Sequence, residues 1–351
     1  TYERNGNSYS IENGGLPKNA DTYTASITLG GQSVSVQYTI DPKPITVTVD
    51  AVSRAYGDAN PAFTAAAPSG ALVGSDTVAS LGLTLTSTAI ATSNVGTYHV
   101  TGTASNGNYA VTIYGTNKLT VTAKPITVTV DPATRAYGDE NPAFTATAPS
   151  SALVGNDTVA SLNLTLSSDA TATSPVGKYD VTGTANNGNY AVTVKGTDAL
   201  AVTQRAVTLT VNAASRIYGD ANPDFTAELT GGTYAPGDSF QSLGLSLTTA
   251  ADTTSPVGSY NVTGSASNTN YNVTVLGEKK LTITQRPITV EVDAVSRTYG
   301  ERNPNFTANT VKSGSLVKGD MLVLTLTTTA DRTSPVGKYD VTLKLSDSPN
   351  Y

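Results

Sequence analysis

Apolar residues alternate with threonine in short runs along this chain. Ile45-Thr-Val-Thr-Val49 is one run, and residues 81–86, 109–113 and 119–122 form others. A period of two puts apolar side chains on one face and threonines on the other, which predicts half-buried β-strands. Threonine suits the outer face because its β-branch favours extended backbone. Turn residues separate the runs. Ser174-Pro-Val-Gly177 predicts a type I turn, with proline setting φ at the second position and glycine at the fourth. Asn106-Gly107-Asn108 predicts a hairpin-like turn. One stretch does not alternate. In residues 74–81, Val78 and Leu81 lie three apart behind Asp76, which predicts a short helix or single turn with Asp76 as its N-cap. Asp157, Asp238 and Asp320 hold the matching places in later copies.

The pattern repeats. Arg-x-Tyr-Gly begins at Arg54, Arg135, Arg216 and Arg297, a step of 81 residues each time. Phenylalanines follow at Phe63, Phe144, Phe225 and Phe306. Val-Gly-x-Tyr ends at Tyr98, Tyr179, Tyr260 and Tyr339, and an Asn-Tyr pair ends at Tyr109, Tyr190, Tyr271 and Tyr351. The units run over residues 43–123, 124–204, 205–285 and 286–351, the last without closing strands. Residues 1–42 read as the C-terminal part of a divergent preceding module, with Gln37-Tyr-Thr-Ile40 in place of the closing strand. A unit of this length exceeds a solenoid turn and suffices for a small domain with its own core. The expectation is a mainly β array of small β-grasp-like modules, with Ig-like β-sandwich modules as the alternative. About two residues separate units, and Pro125 and Pro287 extend the chain there, so an elongated, stiff rod is expected. Termini at opposite ends of each module require first and last strands that run parallel, side by side.

Composition narrows the function. A net charge of −6 argues against nucleic acid, whose phosphates need clustered Lys and Arg. It also disfavours an anionic membrane surface, and no run reaches the roughly 20 apolar residues of a membrane span. The chain has no cysteine, so neither disulfides nor thiolate metal sites are available, which leans towards a bacterial exterior. The sequence opens on Thr1 without a leader-like segment and reads as a piece of something longer.

The ordered run Tyr-Gly-Asp-x-Asn-Pro-x-Phe, preceded by Pro-Ile-Thr-Val-x-Val and followed by Val-Gly-x-Tyr and Asn-Tyr, resembles the MBG domain of the YGX type. Residues 43–351 carry the resemblance in four copies. It departs at Glu301-Arg302, where other copies have Asp-Ala or Asp-Glu, and at Asn94, where others have proline. The resemblance implies tandem repeats of bacterial surface adhesins, hence a secreted or cell-surface location. It does not supply a ligand.

The side chains offer no catalyst. The one histidine, His99, has Asp180, Asn261 and Asp340 at the matching positions, so imidazole is not part of the module. Without cysteine or recurring histidine the nucleophile–base arrangements lack their parts, and no enzyme activity or cofactor is expected. Asp58, Asn60 and Asp76 could offer oxygens to calcium, yet the chain lacks a calcium-loop motif, and Asp and Asn are common turn residues. Arg54, Arg135, Arg216 and Arg297 predict a bond to a carboxylate or a stack on a ring, with ligand binding as the sharper reading. Tyr56, Tyr137, Tyr218 and Tyr299 are the other ligand candidates, since aromatic faces bind sugars and partners. Tyr98, Tyr179, Tyr260 and Tyr339 predict buried corner anchors, and the four phenylalanines a core. The leading expectation is a stalk or spacer that projects a functional region. The first alternative is a set of multivalent modules for host glycan or protein. The second is a fibre-forming subunit in which the strand at residues 33–40 completes the fourth unit of a neighbouring copy.

Overall fold

A computed structural model describes residues 2–4, 7–9, 16–308, 310–346 and 348–351. It divides into two units. The first comprises residues 1–131, 143–168 and 180–199, the second residues 132–142, 169–179 and 200–351. The division runs through the second repeat rather than between repeats.

In the first unit, repeat 1 shows the design. Its opening strand Lys43–Val49 buries Ile45, Val47 and Val49 and turns Thr46 and Thr48 outward. The return strand Tyr109–Tyr114 lies beside it in parallel, Tyr109 opposite Lys43 and Tyr114 opposite Thr48. Both strands break at the same level. At Asp50 the amide turns to the Thr64 carbonyl at 2.9 Å, and the Thr64 hydroxyl donates to the Asp50 carboxylate at 2.6 Å. At Gly115 the carbonyl accepts from the Val100 amide at 2.8 Å, and a Cβ on Gly115 would collide with the Val100 carbonyl. Beyond the break the second strand Val52–Ala55 runs parallel to the closing strand Leu119–Thr122, which pairs on its far side antiparallel with Gly96–Tyr98. The opening arm, residues 43–55, and the closing arm, residues 109–122, each broken once, thus lie side by side and parallel. This parallel pairing departs from the wholly antiparallel sheets of an Ig-like sandwich. A hairpin of Leu83–Thr86 and Thr101–Ala104 completes the repeat.

The non-alternating stretch is a single 3-10 turn, Val78–Leu81, which buries Leu81 completely. Asp76 is not its N-cap. Thr77 is, and its amide donates to Ser80 Oγ, at the N3 position, at 3.0 Å. Asp76 instead accepts the Tyr109 hydroxyl at 2.7 Å. At Asn106–Asn108 the turn is an Asx turn, with the Asn108 amide on Asn106 Oδ1 at 3.0 Å, and the strands flanking it join different sheets.

Ahead of repeat 1, Asp21–Leu29 and Gln32–Ile40 form an antiparallel hairpin, and Tyr2–Arg4 pairs on the outer edge of Asp21–Leu29. Tyr23 is fully buried and stacks on Tyr38, centroids 5.7 Å apart.

In the second unit, repeat 3 follows the same plan. Arg205–Val211 runs parallel to Tyr271–Leu276, and Ala214–Ile217 runs parallel to Leu281–Thr284. Its antiparallel edge strand Ala227–Gly232 is longer than the two-residue Ala65–Ala66 of repeat 1. Pro68 stops the shorter one, because proline cannot donate to a ladder. The turn predicted at Ser174–Gly177 closes three residues earlier, over 171–174: the Ser174 amide donates to the Thr171 carbonyl at 3.0 Å, and Ser174 Oγ accepts from the Thr171 amide. Repeat 4 keeps the pairs Thr289–Glu291 with Thr310–Ser313 and Val323–Thr328 with Val341–Ser346.

Repeat 1 has clusters of its own, around Val47 with Leu81 and around Val49 with Leu119, and other clusters cross from one repeat to the next. One cluster of the first unit joins Tyr56 and Val121 of repeat 1 to Ile126, Val128, Val154, Leu162 and Tyr190 of repeat 2. In the second unit Tyr137 and Val202 of repeat 2 share a cluster with Val207, Leu209 and Tyr271 of repeat 3. The reason is geometric. Only Ala123 separates the closing strand Leu119–Thr122 from the next opening strand Lys124–Val130, so consecutive repeats abut.

Candidate functional site

The recurring motif residues converge where one repeat meets the next. Each repeat has a rear end, bearing Arg-x-Tyr-Gly, and a front end, bearing the Asn-Tyr pair.

The arginine holds the rear end together from inside. Arg54 is 6% exposed. Its Nε donates to Asn60 Oδ1 at 2.7 Å, and its terminal nitrogens donate to the carbonyls of Ala55 and Ile90. Asn60 in turn donates to the Ala89 carbonyl at 2.6 Å. Arg135 with Asn141, Arg216 with Asn222 and Arg297 with Asn303 repeat the bond at 2.7–2.8 Å. Among the described residues no carboxylate or ring partners this guanidinium. Carbonyls and one amide satisfy it, which fixes the loop at residues 89–91 against the motif. The Asn60 oxygen is therefore committed to arginine, not open to a cation, and the described residues contain no cluster suited to a metal ion.

The tyrosine of the motif faces the following repeat. The rings of Tyr56 and Tyr190 meet edge-to-face at 5.4 Å. Tyr137 meets Tyr271 at 5.6 Å and Tyr218 meets Tyr351 at 5.7 Å in the same way. One carboxylate serves both rings of a pair: Asp157 accepts the Tyr190 hydroxyl at 2.7 Å and the Tyr56 hydroxyl at 3.1 Å. The Tyr190 oxygen also accepts the Val154 amide at 2.9 Å. Burial, and then the hydrogen bond to Asp157, push the Tyr190 hydroxyl up to about 12, and burial does the same for Tyr271. Tyr56, Tyr137 and Tyr218 are raised as well, with burial as the first cause. These hydroxyls remain protonated donors. Tyr56, Tyr137 and Tyr218 are 6%, 8% and 4% exposed, so they offer no free face to a soluble sugar.

The glycine permits the approach. Gly57 has φ +94°, and a Cβ there would stand 2.5 Å from Val154 Cγ2 of the next repeat. Gly138 meets Ala235 at the same hypothetical distance, and Gly219 meets Val317.

A second seam closes each joint. The Asn189 side chain accepts the Val95 amide at 2.9 Å. Asn270 accepts Val176, and Asn350 accepts Val257, at the same distance. Beside this seam sits the tyrosine corner: the Tyr98 hydroxyl donates to the Asn94 carbonyl at 2.6 Å, and Tyr179, Tyr260 and Tyr339 donate to the residue four positions back. Tyr23 does so to Asn19 at 3.0 Å, and the Ala20 amide reaches Asn108 at 2.7 Å, so the leading hairpin joins repeat 1 by the same seam. Tyr98, Tyr179 and Tyr260 are half-buried and Tyr339 is 43% exposed, so of these corner rings only Tyr23 is fully buried. The phenylalanines are half-buried too, Phe63 against Val49 and Leu119, Phe225 against Val211 and Leu281.

Ion pairs add little. Arg205–Asp139 spans 2.8 Å, and Arg286 reaches Asp220, each pair with a half-exposed carboxylate. Such pairs contribute about 0–1 kcal/mol. Hydroxyl bonds to a carboxylate contribute about 1.5–3 kcal/mol each, and an edge-to-face ring pair about 0.5–1.5 kcal/mol beyond its buried area. Rings and their shared aspartate therefore dominate the joint.

Sequence reasoning singled out the tyrosines, arginines and aspartates; it weighed Asn60 only as a cation or turn residue and Asn189 only as part of a recurring pair, and it did not single out Val154. The signal for Asn60 was its constant six-residue distance from Arg54. For Asn189 and Val154 the signal was weaker, because their partners lie in the preceding repeat.

No curated protein and no solved structure matches the chain. The sequence profile of one family matches residues 45–120, 126–199, 207–282 and 288–351, which together make up most of the sequence. The chain belongs to the MBG domain (YGX type) family, as four tandem copies.

Proposed function

We infer that the chain is a run of non-catalytic spacer repeats from a bacterial cell-surface protein, holding a functional region away from the cell. One observation carries this reading: the opening arm of a repeat, residues 43–55 in repeat 1, and its closing arm, residues 109–122, lie side by side and parallel. Tension enters repeat 1 at Lys43 and leaves at Thr122, at opposite ends of that pair. The two strands are then pulled past one another, so their ladder bonds are loaded in shear together rather than one after another. The same pairing recurs in repeat 3. The composition agrees with an exposed location, and no helix among the described residues is long and apolar enough to cross a membrane. Burial of the motif residues in the joints favours a spacer over a glycan reader, since the positions that recur best are occupied by the neighbouring repeat.

Single-molecule pulling on the full chain tests the reading. The expected trace shows abrupt, high-force events, those of the first three repeats each releasing 81 residues, roughly 270–290 Å of extended chain before subtracting the folded length. Gradual unravelling at low force would contradict it.

A further inference from the structure

One turn recurs in repeats 1, 2 and 3 with the same bonds but not the same middle residue. Repeats 1 and 2 have Asn106-Gly107-Asn108 and Asn187-Gly188-Asn189, and repeat 3 has Asn268-Thr269-Asn270. In repeat 2 the Asn187 side chain donates to the Ser161 carbonyl at 2.8 Å, and its Oδ1 accepts the Asn189 amide at 3.0 Å. Asn106 and Asn268 make the same two bonds, reaching Ser80 and Ser242. The fold does not demand glycine in the middle. Neither Gly107 nor Gly188 has a positive φ, and a Cβ on either would meet nothing within 4 Å.

What glycine supplies there is access. Gly188 is exposed, and its amide has no hydrogen-bond partner among the described residues. That nitrogen follows Asn187 directly, so it can close on the Asn187 Cγ to form a succinimide ring. A threonine shields its own amide with a β-branched side chain, and glycine carries none. The carboxamide bonds hold the asparagine equally in all three turns. The middle residue is therefore what separates the first two from the third.

We propose that Asn106 and Asn187 are sites of spontaneous deamidation, and that conversion of Asn187 loosens the joint between repeats 1 and 2. The co-reactant is water. Hydroxide takes the Gly188 amide proton, and the nitrogen attacks the Asn187 Cγ when the carboxamide bonds open. The N–Cγ bond forms, the Cγ–Nδ2 bond breaks, and the leaving nitrogen takes a proton from water to depart as ammonia. A water molecule then opens the ring at either carbonyl, giving aspartate or isoaspartate. Both products lose the donor that reached Ser161, and isoaspartate also lengthens the main chain by one carbon. Asn189, two residues on, is displaced with it. Its Oδ1 accepts the Val95 amide and its Nδ2 donates to Asn94 Oδ1, both at 2.9 Å, so the seam to repeat 1 goes too. Asn106 stands in the same relation to Asn108, which accepts the Ala20 amide of the leading hairpin. Asn270, which accepts the Val176 amide, follows threonine and is spared.

The test incubates the full chain at mildly alkaline pH and maps its peptides by mass spectrometry, with electron-transfer fragmentation to tell isoaspartate from aspartate. Asn106 and Asn187 should convert about tenfold or more faster than Asn268, because only their neighbours lack a side chain. In a Gly188→Thr chain, which copies repeat 3, Asn187 should fall to the Asn268 rate while Asn106 stays fast. Hydrogen exchange of the aged wild-type chain should be about 5-fold faster at the Val95 amide, as for one lost hydrogen bond, and unchanged at Val176. The proposal is overturned if Asn187 converts no faster than Asn268 within the wild-type chain, a comparison that needs no variant to fold. It is also overturned if Gly188→Thr leaves the Asn187 rate unchanged, or if the converted chain protects the Val95 amide as well as the fresh one.

Discussion

Repeats 3 and 4 end in the same motif in different surroundings. Tyr218 is 4% exposed and Tyr299 is 62% exposed. Tyr218 meets Tyr351 of the following repeat, and Gly219 is pressed against Val317. Around Gly300 there is nothing within 4 Å. Arg216 and Arg297 nevertheless make the same bond to their asparagine, at 2.7 and 2.8 Å. The arginine of the motif thus serves its own repeat, while the tyrosine and glycine serve the next. The front ends agree: Val154 is 8% exposed where a preceding repeat covers it, and Val73 of repeat 1 is 57% exposed.

That contrast can be broken by paired substitutions. The largest difference is expected at the tyrosines. Tyr218→Ala should cost about 3–5 kcal/mol, as for other buried rings, and Tyr299→Ala less than about 0.5 kcal/mol, as for a surface site. Urea denaturation of each full-length variant reads both. Equal costs would mean that the joint does not use the ring. At the glycines the gap is smaller. Gly219→Ala and Gly300→Ala both place a side chain at φ +87°, which costs about 1–2 kcal/mol. Only Gly219→Ala adds a collision, worth about a further 1–3 kcal/mol. Asp157→Asn weakens the acceptor of two hydroxyls and Asp76→Asn that of one. The expected losses are about 2 and about 1 kcal/mol, again by urea midpoints.

Alkaline pH should act more gently at each joint. Burial raises the Tyr190 and Tyr271 hydroxyls to about 12, from an ordinary value of about 10. A raised value means the folded state holds the proton more tightly, so this stabilisation is complete below about pH 10 and disappears as pH climbs through about 12. Melting temperatures should be flat from pH 8 to about 9.5 and fall above it. A flat profile up to pH 12 would show that the rings ionise freely.

Much of the fold was legible in the sequence because its marks are local. Alternation in Ile45-Thr-Val-Thr-Val49 gives a strand whichever neighbour it packs on, and the constant spacing of Arg54, Arg135, Arg216 and Arg297 fixes the repeat. Asp76 misled because an acidic residue ahead of Val-x-x-Leu resembles an N-cap. Thr77, one position later, takes that role with Ser80, and the Asp76 carboxylate goes to a tyrosine 33 positions away. Ser174-Pro-Val-Gly177 misled because the serine hydroxyl closes the turn behind it at Thr171. The joint was hardest to read. Tyr56 and Asp157 lie 101 positions apart, and Val95 and Asn189 lie 94 apart. Both separations exceed one repeat, so a motif compared only with its own copies does not reveal its partner. Repeat 1 does bury clusters of its own around Val47 and Leu119; what local patterns did not reveal is that further clusters cross the joints.

Coupling between consecutive repeats is best measured by a double-mutant cycle on Tyr56→Leu and Tyr190→Leu in the full chain, followed by urea unfolding of the first unit. Rings that meet edge-to-face over one shared aspartate should give a coupling energy of about 1–2 kcal/mol. Strict additivity, within about 0.3 kcal/mol, would mean that the repeats only touch and do not hold one another.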